Sequence, residues 1–313
     1  MPAELHQRRF DAMGTSVHLA AITCDATILE RAQASIERYD QRWSRFRADS
    51  ELSRLNASTG RPVILARDTF ALVSLAVEAW HRTGGHFDPT VHDGLVAAGY
   101  DRPFACFDPE RIRGRAELGP APGCAGIELD PDLCSVYLPA GVHLDLGGIA
   151  KGFVTDLIAD RVADQTLGVA VNIGGDVTVR GRGPVDGTWI IGVDPYGAGE
   201  SSSLSVALAT GAVCTTSSRR RRWRGPTGWR HHLLDPFDGH PANGSLDSVT
   251  VIASSATDAE TVAKHAFVAG RQLAAEIISR SGLTGLLCDV SGELTGADGL
   301  ERFLVQPLEA AVR

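Results

Sequence analysis

No stretch of this 313-residue sequence approaches the roughly 18 consecutive apolar residues of a membrane helix, so membrane insertion is not expected. Cysteine is sparse and scattered. Cys24, Cys106, Cys124, Cys134, Cys214 and Cys288 form no CxxC pair; in a chain this long they read as reduced, mostly buried thiols. Positive charge is in deficit, with 30 Lys and Arg against 38 Asp and Glu and a formal net charge of −8, which argues against nucleic acid as the main partner. The opening MPAELHQRRFDAMGTS has neither the apolar core of an export signal nor a lipid-attachment cysteine, and a cytoplasmic protein is expected. Several familiar motifs are missing too. There is no GxGxxG, no Walker A loop, no HExxH and no GxSxG elbow, so a dinucleotide fold, a P-loop, a zinc protease and a serine hydrolase are all unexpected.

What remains is an ordinary globular composition, 43% apolar and 22% charged, long enough for one large domain or two closely packed lobes. No linker is evident, and residues 1–313 are expected to form a single domain. Residues 9–23 alternate as a strand, interrupted at Met13-Gly14-Thr15 by a bulge or a close backbone approach. Residues 27–46 read as a helix, and Ser50 can cap a short second one ending at Asn56. Arg42, Arg45 and Arg47 make that junction basic; a solvated face is the simpler reading. Residues 67–83 form a third helix stopped by Gly84-Gly85. Residues 100–125 look irregular, and GIELDPDLCSVYLP reads as a hairpin turned at Asp130-Pro131-Asp132. Residues 169–181 read as a strand broken by Gly174-Gly175. TWIIGVDP, SLSVALATGAVCTTSS, HHLLDP and SVTVIASS read as strands, residues 257–270 and 272–281 as helices, and a Leu-rich strand pair closes the chain. Many strands with helices grouped between them imply an α+β fold of layered mixed or antiparallel sheets with flanking helices.

The chain is organised around LDLGGIAKGFVTDLIADRVADQ, residues 144–165. An apolar run turns through Gly147-Gly148 and continues as an amphipathic helix. Bare glycine backbone at a helix mouth, with Asp145 before it and Lys151 just inside, suits a phosphate with or without a hard cation. The alternative is a plain strand-turn-helix corner with Lys151 in solvent. Arg219-Arg220-Arg221-Arg222-Trp223-Arg224 is the strongest charge run, readable as a nucleic-acid patch, a phosphate clamp, a docking loop or a solvated loop. His232 in HHLLDP is a general-base candidate by its near-neutral pKa or else a structural histidine. Glu260 and Lys264, four residues apart, are either functional or an ordinary helix-surface ion pair.

Taken together, MGTSVHL, SRFRADSELSRLN, GGHFDPTV, LDLGGIAKGFVTD, VNIGGDV, WIIGVDP and HHLLDPFDGHP, in this order from Met13 to Gly270, resemble the FAD:protein FMN transferase (ApbE) family. The resemblance implies a T-fold-like architecture with an FAD cleft, and an enzyme that splits FAD and attaches its FMN half through a phosphoester to Thr or Ser of a partner flavoprotein, releasing AMP. It implies FAD contacts at Met13, Phe46, His86, Phe87, Asp88, Asp145, Lys151 and Leu234, with Phe46 packing against the flavin. Asn172, Gly174, Gly175 and Asp176 match the family's NxGGD turn, and His232 matches the His before the Asp-Pro pair. Magnesium is implied at the Gly148 carbonyl and at an Asp followed four residues on by a Thr.

This sequence departs from that pattern. Glu260 stands at the Asp position and Lys264 at the Thr position. Glu260 can reach a cation, but an ammonium has no lone pair to offer one. Lys264 either takes the cation's place beside phosphate or pairs with Glu260 and weakens the metal site. TTSSRRRRW replaces the usual TSG-type turn, and the chain carries no DxxTGAT-like acceptor motif of its own, so self-flavinylation is not expected. The alternative function is an FAD-binding or flavin-delivery protein, or an FAD pyrophosphatase, in which Lys264 has abolished magnesium-dependent transfer.

Overall fold

The computed structural model describes residues 2–107, 118–196, 204–225, 228–242 and 244–308. Its helices are α1 (Thr27–Trp43), α2 (Glu51–Asn56), α3 (Arg67–Arg82), α4 (His92–Ala97), α5 (Ala150–Ala163), α6 (Ala256–Ala269) and α7 (Arg271–Arg280). The first strands are β1 (Glu4–Ala12), β2 (Thr15–Thr23), β3 (Pro62–Ile64), β4 (Glu128–Asp130), β5 (Ser135–Tyr137), β6 (Gly168–Ile173), β7 (Asp176–Gly181) and β8 (Trp189–Val193). The rest are β9 (Leu204–Leu208), β10 (Gly211–Ser217), β11 (Arg222–Gly225), β12 (Gly228–His231), β13 (Leu246–Ala253), β14 (Thr284–Asp289) and β15 (Leu294–Gly296). Two compact units emerge. One comprises residues 1–39, 151–217 and 244–313, the other residues 40–150 and 218–243.

The first unit is built on an eight-stranded sheet in the order β1-β2-β6-β7-β10-β13-β14-β15, antiparallel throughout. β13 and β14 are buried at every position, as strands covered on both faces must be. One cover is the β8–β9 ribbon, whose Trp189, Ile191, Val193, Leu204, Val206 and Leu208 pack with Val177, Val179, Val213, Ile252 and Leu286 of the sheet. Helices also pack on the sheet: α6 lies on β10 and β13, and α7 on β14. α5 is tied to β7 by the Thr178 hydroxyl, which donates to Asp156 at 2.8 Å. The same Asp156 carboxylate accepts the first N–H groups of α6, from Ala256 at 2.8 Å and Thr257 at 2.9 Å. It therefore caps one helix from the side of another and fixes where α6 begins.

Two expectations change here. Residues 9–23 are not one strand with a bulge: Met13 and Gly14, at φ 54° and 67°, turn a two-residue hairpin that starts at Glu4. Such a turn needs positive φ at both central positions, and a methionine gives no hint of it. The interruption at Gly174-Gly175 is likewise a hairpin turn, with φ 68° and 99°.

In the second unit α2 starts on its Ser50 cap, whose hydroxyl accepts the Ser53 N–H at 2.9 Å. Buried Glu51 accepts the Ala66 N–H at 2.8 Å and a short hydrogen bond from the Thr69 hydroxyl, which itself accepts Trp43 Nε1–H at 2.8 Å. These bonds lock α3 against α2 and the end of α1. β3, β5 and β4 form a small antiparallel sheet, with the expected hairpin between β4 and β5. A second core gathers Leu95, Ala98, Tyr100, Trp223 and Leu234, with Phe46, Val91, Phe107 and Leu118 against them. The middle of the irregular stretch, residues 108–117, lies outside the described residues. HHLLDP is not a strand. β12 ends at His231, and the Asp235 side chain accepts the Phe237 N–H at 2.9 Å, turning the chain so that Leu234 makes only an isolated bridge to Pro241.

Candidate active site

The candidate residues divide between the units. Met13, Lys151, Asn172, Gly174, Gly175, Asp176, Glu260 and Lys264 belong to the first; Phe46, His86, Phe87, Asp88, Asp145, Gly148, His232 and Leu234 belong to the second.

In the first unit the β2–β6 register pairs Val17 with Ile173, which sets the Met13-Gly14 and Gly174-Gly175 turns side by side. Gly174 donates its N–H to the Ser16 carbonyl at 3.0 Å. A Cβ there would lie 2.6 Å from Thr15 Oγ1, so only glycine permits this approach. Asn172 Oδ1 accepts the Gly175 N–H at 2.9 Å and closes the turn. The next residue, Asp176, is 4% exposed at its side chain, and its Oδ2 lies 2.5 Å from Lys151 Nζ. Lys151 also makes a short ion pair with Glu260 Oε1, and Lys264 Nζ lies 3.0 Å from that same oxygen. Glu260 Oε2 accepts the Gly152 N–H at 2.9 Å. A solvated Lys151 and a helix-surface Glu260/Lys264 pair are thereby both corrected: the partners come from α5, β7 and α6 and form one buried cluster.

Burial alone would lift the Glu260 pKa, but Lys151 and Lys264 win and hold it below the usual carboxylate range. For Asp176 burial prevails, aided by Glu260 and opposed by Lys151, and its pKa is raised. Burial works against the Lys151 charge, yet the two carboxylates overcome it and raise its pKa. The cluster therefore holds two ammoniums against two acids, with the ammoniums fixed in place.

In the second unit Asp145 Oδ2 lies 2.6 Å from Arg45 Nε, and Oδ1 accepts the Gly147 N–H at 2.7 Å. Arg45, 7% exposed at its side chain, is no part of a solvated face. Its guanidinium sits 4.2 Å from the Phe46 ring centroid and 4.6 Å from that of Tyr100, and it donates to the Tyr100 carbonyl at 2.7 Å. Arg45 thus orients both the Phe46 ring and the Asp145 carboxylate. The basic composition of SRFR hid this, since a charge run gives no sign of which arginine turns inward. Asp88 caps the 3-10 turn Pro89–Val91, accepting from Thr90 N–H at 2.7 Å and from Trp80 Nε1–H at 3.1 Å. Burial raises its pKa above the usual range despite those donors. His86 holds its ring edge-on to Phe237 at 5.0 Å, with Nδ1 3.0 Å from the Thr83 carbonyl. Phe87 and Leu234 are buried, and Gly148 lies in the turn before α5.

His232 follows β12 directly. Burial pulls its neighbour His231 down to about 4, so His231 is neutral near neutral pH. In the arginine run, strand alternation buries Trp223, which donates Nε1–H to the Ala98 carbonyl at 3.1 Å. Arg222 and Arg224 stack outside it on Trp229, at 4.4 and 4.5 Å. The run is thus a ribbon anchored by tryptophan, and the aromatic that favoured a nucleic-acid reading faces inward. One group escaped the sequence reading. His92, Asp93 and His143 bring two ring nitrogens and a carboxylate within 4.8 Å of one another.

Magnesium was implied at Gly148 and Glu260, and the donor set at Glu260 does not fit it. A hard dication needs six oxygen ligands with lone pairs directed at it. Both Glu260 oxygens already accept from Lys151, Lys264 and Gly152, and Lys264 has no acceptor.

Comparison with known proteins bears on what this arrangement serves. The ApbE family pattern matches residues 13–287. The chain is 31% identical over 258 residues to the FAD:protein FMN transferase of Treponema pallidum, covering 77% of this chain and 71% of that one. It is 31% identical over 257 residues to one from Klebsiella pneumoniae, covering 79% and 77%. The crystal structure of the ApbE protein of Thermotoga maritima superposes with a TM-score of 0.84 at 26% identity, over 97% of this chain and all of that one. The α+β fold of antiparallel sheets and helices is the one these proteins share, and the chain belongs to the ApbE family.

Proposed function

We propose that this protein is an FAD:protein FMN transferase, moving FMN from FAD to a Thr or Ser hydroxyl of a partner flavoprotein. The observation that carries the reading is the buried Lys151–Asp176–Glu260–Lys264 cluster beside two glycine-bearing hairpin turns, in a chain whose relatives are named for this activity. Ammoniums held by buried carboxylates and adjoining bare backbone suit a diphosphate, whose charge they neutralise as its bridging bond breaks.

The acceptor hydroxyl oxygen forms a bond to the phosphorus of the FMN half, and the anhydride P–O bond breaks. The electron pair leaves on the phosphate of AMP, and the hydroxyl proton passes to a base. His232 takes that proton in this reading, because His231, neutral by burial, already accepts the Leu233 N–H at its Nδ1, 3.3 Å away. Phe46, braced by Arg45, offers a flat face for the isoalloxazine ring. The family resemblance assigns FAD contacts to Met13, His86, Phe87, Asp88, Asp145, Asn172, Gly174, Gly175 and Leu234. No step is assigned to magnesium, for the donor set around Glu260 does not fit it. We read residues 1–313 as one functional domain, since the family match draws on both units. No disulfide joins the six cysteines, which supports a reducing, cytoplasmic setting. No helix among the described residues is long and apolar enough to cross a membrane. The flavin-delivery alternative is not favoured, since the relatives carry the transferase name.

The test is to incubate the protein with FAD and a peptide carrying a DxxTGAT motif, then analyse the products by mass spectrometry. The expected result is peptide heavier by FMN less water, with one AMP per modification. FAD recovered intact from a mixture in which it binds would overturn the transferase reading.

A further inference from the structure

In the charged cluster of the first unit, exposure runs in one direction. The Lys151 and Lys264 side chains are 16% and 15% exposed, while those of Asp176 and Glu260 are 4% and 1% exposed. A group arriving from solvent therefore meets ammonium before carboxylate. Each Glu260 oxygen is engaged by donors of the chain itself, and two fixed positive charges repel a third. For a dication to bind there, Lys264 would have to leave a buried acid and find another partner, at the cost of an unpaired charge in a poorly solvated site. An anion meets the opposite situation: two ammoniums held within hydrogen-bond reach of their acids, each with further N–H donors to give.

Building on the transferase reading, we propose that the Lys264 ammonium replaces a metal ion in this chain. The FAD diphosphate is bound by Lys264 together with Lys151 and without a divalent cation, while Glu260 and Asp176 hold the two ammoniums instead of ligating metal. The positive charge is then part of the polypeptide, and binding is independent of free magnesium.

The experiment is calorimetric titration of the full-length protein with FAD, once in magnesium and once in EDTA, for wild type, Lys264→Met and Lys264→Thr. Riboflavin, which has no phosphate, is the control ligand. Wild type should bind FAD with the same affinity in both buffers. Lys264→Met should weaken FAD about tenfold or more, the loss of a charge-assisted hydrogen bond, and leave riboflavin affinity unchanged. Lys264→Thr, which removes one of the two ammoniums from Glu260 Oε1 and adds a hydroxyl, should bind FAD more tightly in magnesium than in EDTA. Wild-type affinity that collapses in EDTA would overturn the proposal and leave the transferase reading standing. So would a Lys264→Met protein that binds FAD like wild type, or one that loses riboflavin equally. Failure of wild type to bind FAD in either buffer would instead remove the transferase reading on which the proposal rests.

Discussion

Replacing Lys151 by Met tests the cluster most directly, because it removes one ammonium from two buried acids while keeping the length of the side chain. Glu260 would still have Lys264 at 3.0 Å and the Gly152 N–H at 2.9 Å. Asp176, 4% exposed and 2.5 Å from Lys151 Nζ, would lose its close partner. Breaking a buried pair from one side costs about 3–5 kcal/mol, a large share of a typical folding free energy. The pH dependence identifies the cause. Burial already raises the Asp176 pKa, and Lys151 opposes that rise, so the variant's carboxyl should titrate higher still. A carboxyl that binds its proton more tightly when folded favours the folded state as pH falls. The deficit should be greatest near neutrality and shrink in mildly acidic buffer, where protonation of the Asp176 carboxyl removes the orphaned charge. Urea denaturation of wild type and variant at both pH values reads this out, and adding Asp176→Asn to Lys151→Met should recover most of the loss. A deficit below about 1 kcal/mol, or one equal at both pH values, would refute the account.

Asp156→Ala should destabilise by about 3 kcal/mol or more, since it removes the acceptor of the first two α6 N–H groups, leaving only the Ser255 cap, and orphans the Thr178 hydroxyl; chemical denaturation measures this, and a loss within error of zero would contradict it. Gly152→Ala should cost about 1–3 kcal/mol, because its Cβ would lie 2.6 Å from the Ala256 carbonyl oxygen and 3.0 Å from Glu260 Oε2; an unchanged thermal midpoint would show that α5 and α6 move apart freely. His231 is neutral in the fold, with its pKa lowered by burial to about 4, whereas the unfolded chain protonates near about 6.5. The unfolded state thus gains protons first, and stability should fall by at most about 3 kcal/mol as pH drops through that window. His231→Gln should flatten that part of the profile, and an unaltered profile would rule His231 out as its source.

How far the sequence could be read follows from the range of each interaction. Helices α1, α3, α6 and α7 were legible to within a few residues, because their signals of periodicity, caps and glycine stops lie within a turn or two of the chain. The β4–β5 hairpin was legible for the same reason, through Asp130-Pro131-Asp132. The residues of the charged cluster were singled out, but their grouping was not. Lys151 reaches Asp176 across 25 positions and Glu260 across 109, and no local pattern distinguishes that lysine from one in solvent. Arg45 was missed similarly, since Asp145 and Tyr100 lie far along the chain. The Met13-Gly14 turn failed for a different reason: methionine at φ 54° is a conformation that its side chain does not advertise. HHLLDP has the alternation of a strand, but the Asp235 side chain takes a backbone N–H and turns the chain instead.

The order of strands in the large sheet bears on how the protein is made. β10 pairs on one side with β7 and on the other with β13, and between β10 and β13 the chain departs to supply residues 218–243 of the second unit. On a ribosome working from the N-terminus, the nascent chain exposes one flank of β10 until residue 253 has emerged. That flank is a run of unpaired amides and carbonyls beside Val213 and Cys214, which are buried in the finished protein, and it is open to pairing with another chain. The buried strands β13 and β14, followed by β15, are translated last of the strands and complete the sheet. A stop codon placed just after β10 should therefore yield an aggregating fragment and not a smaller working protein.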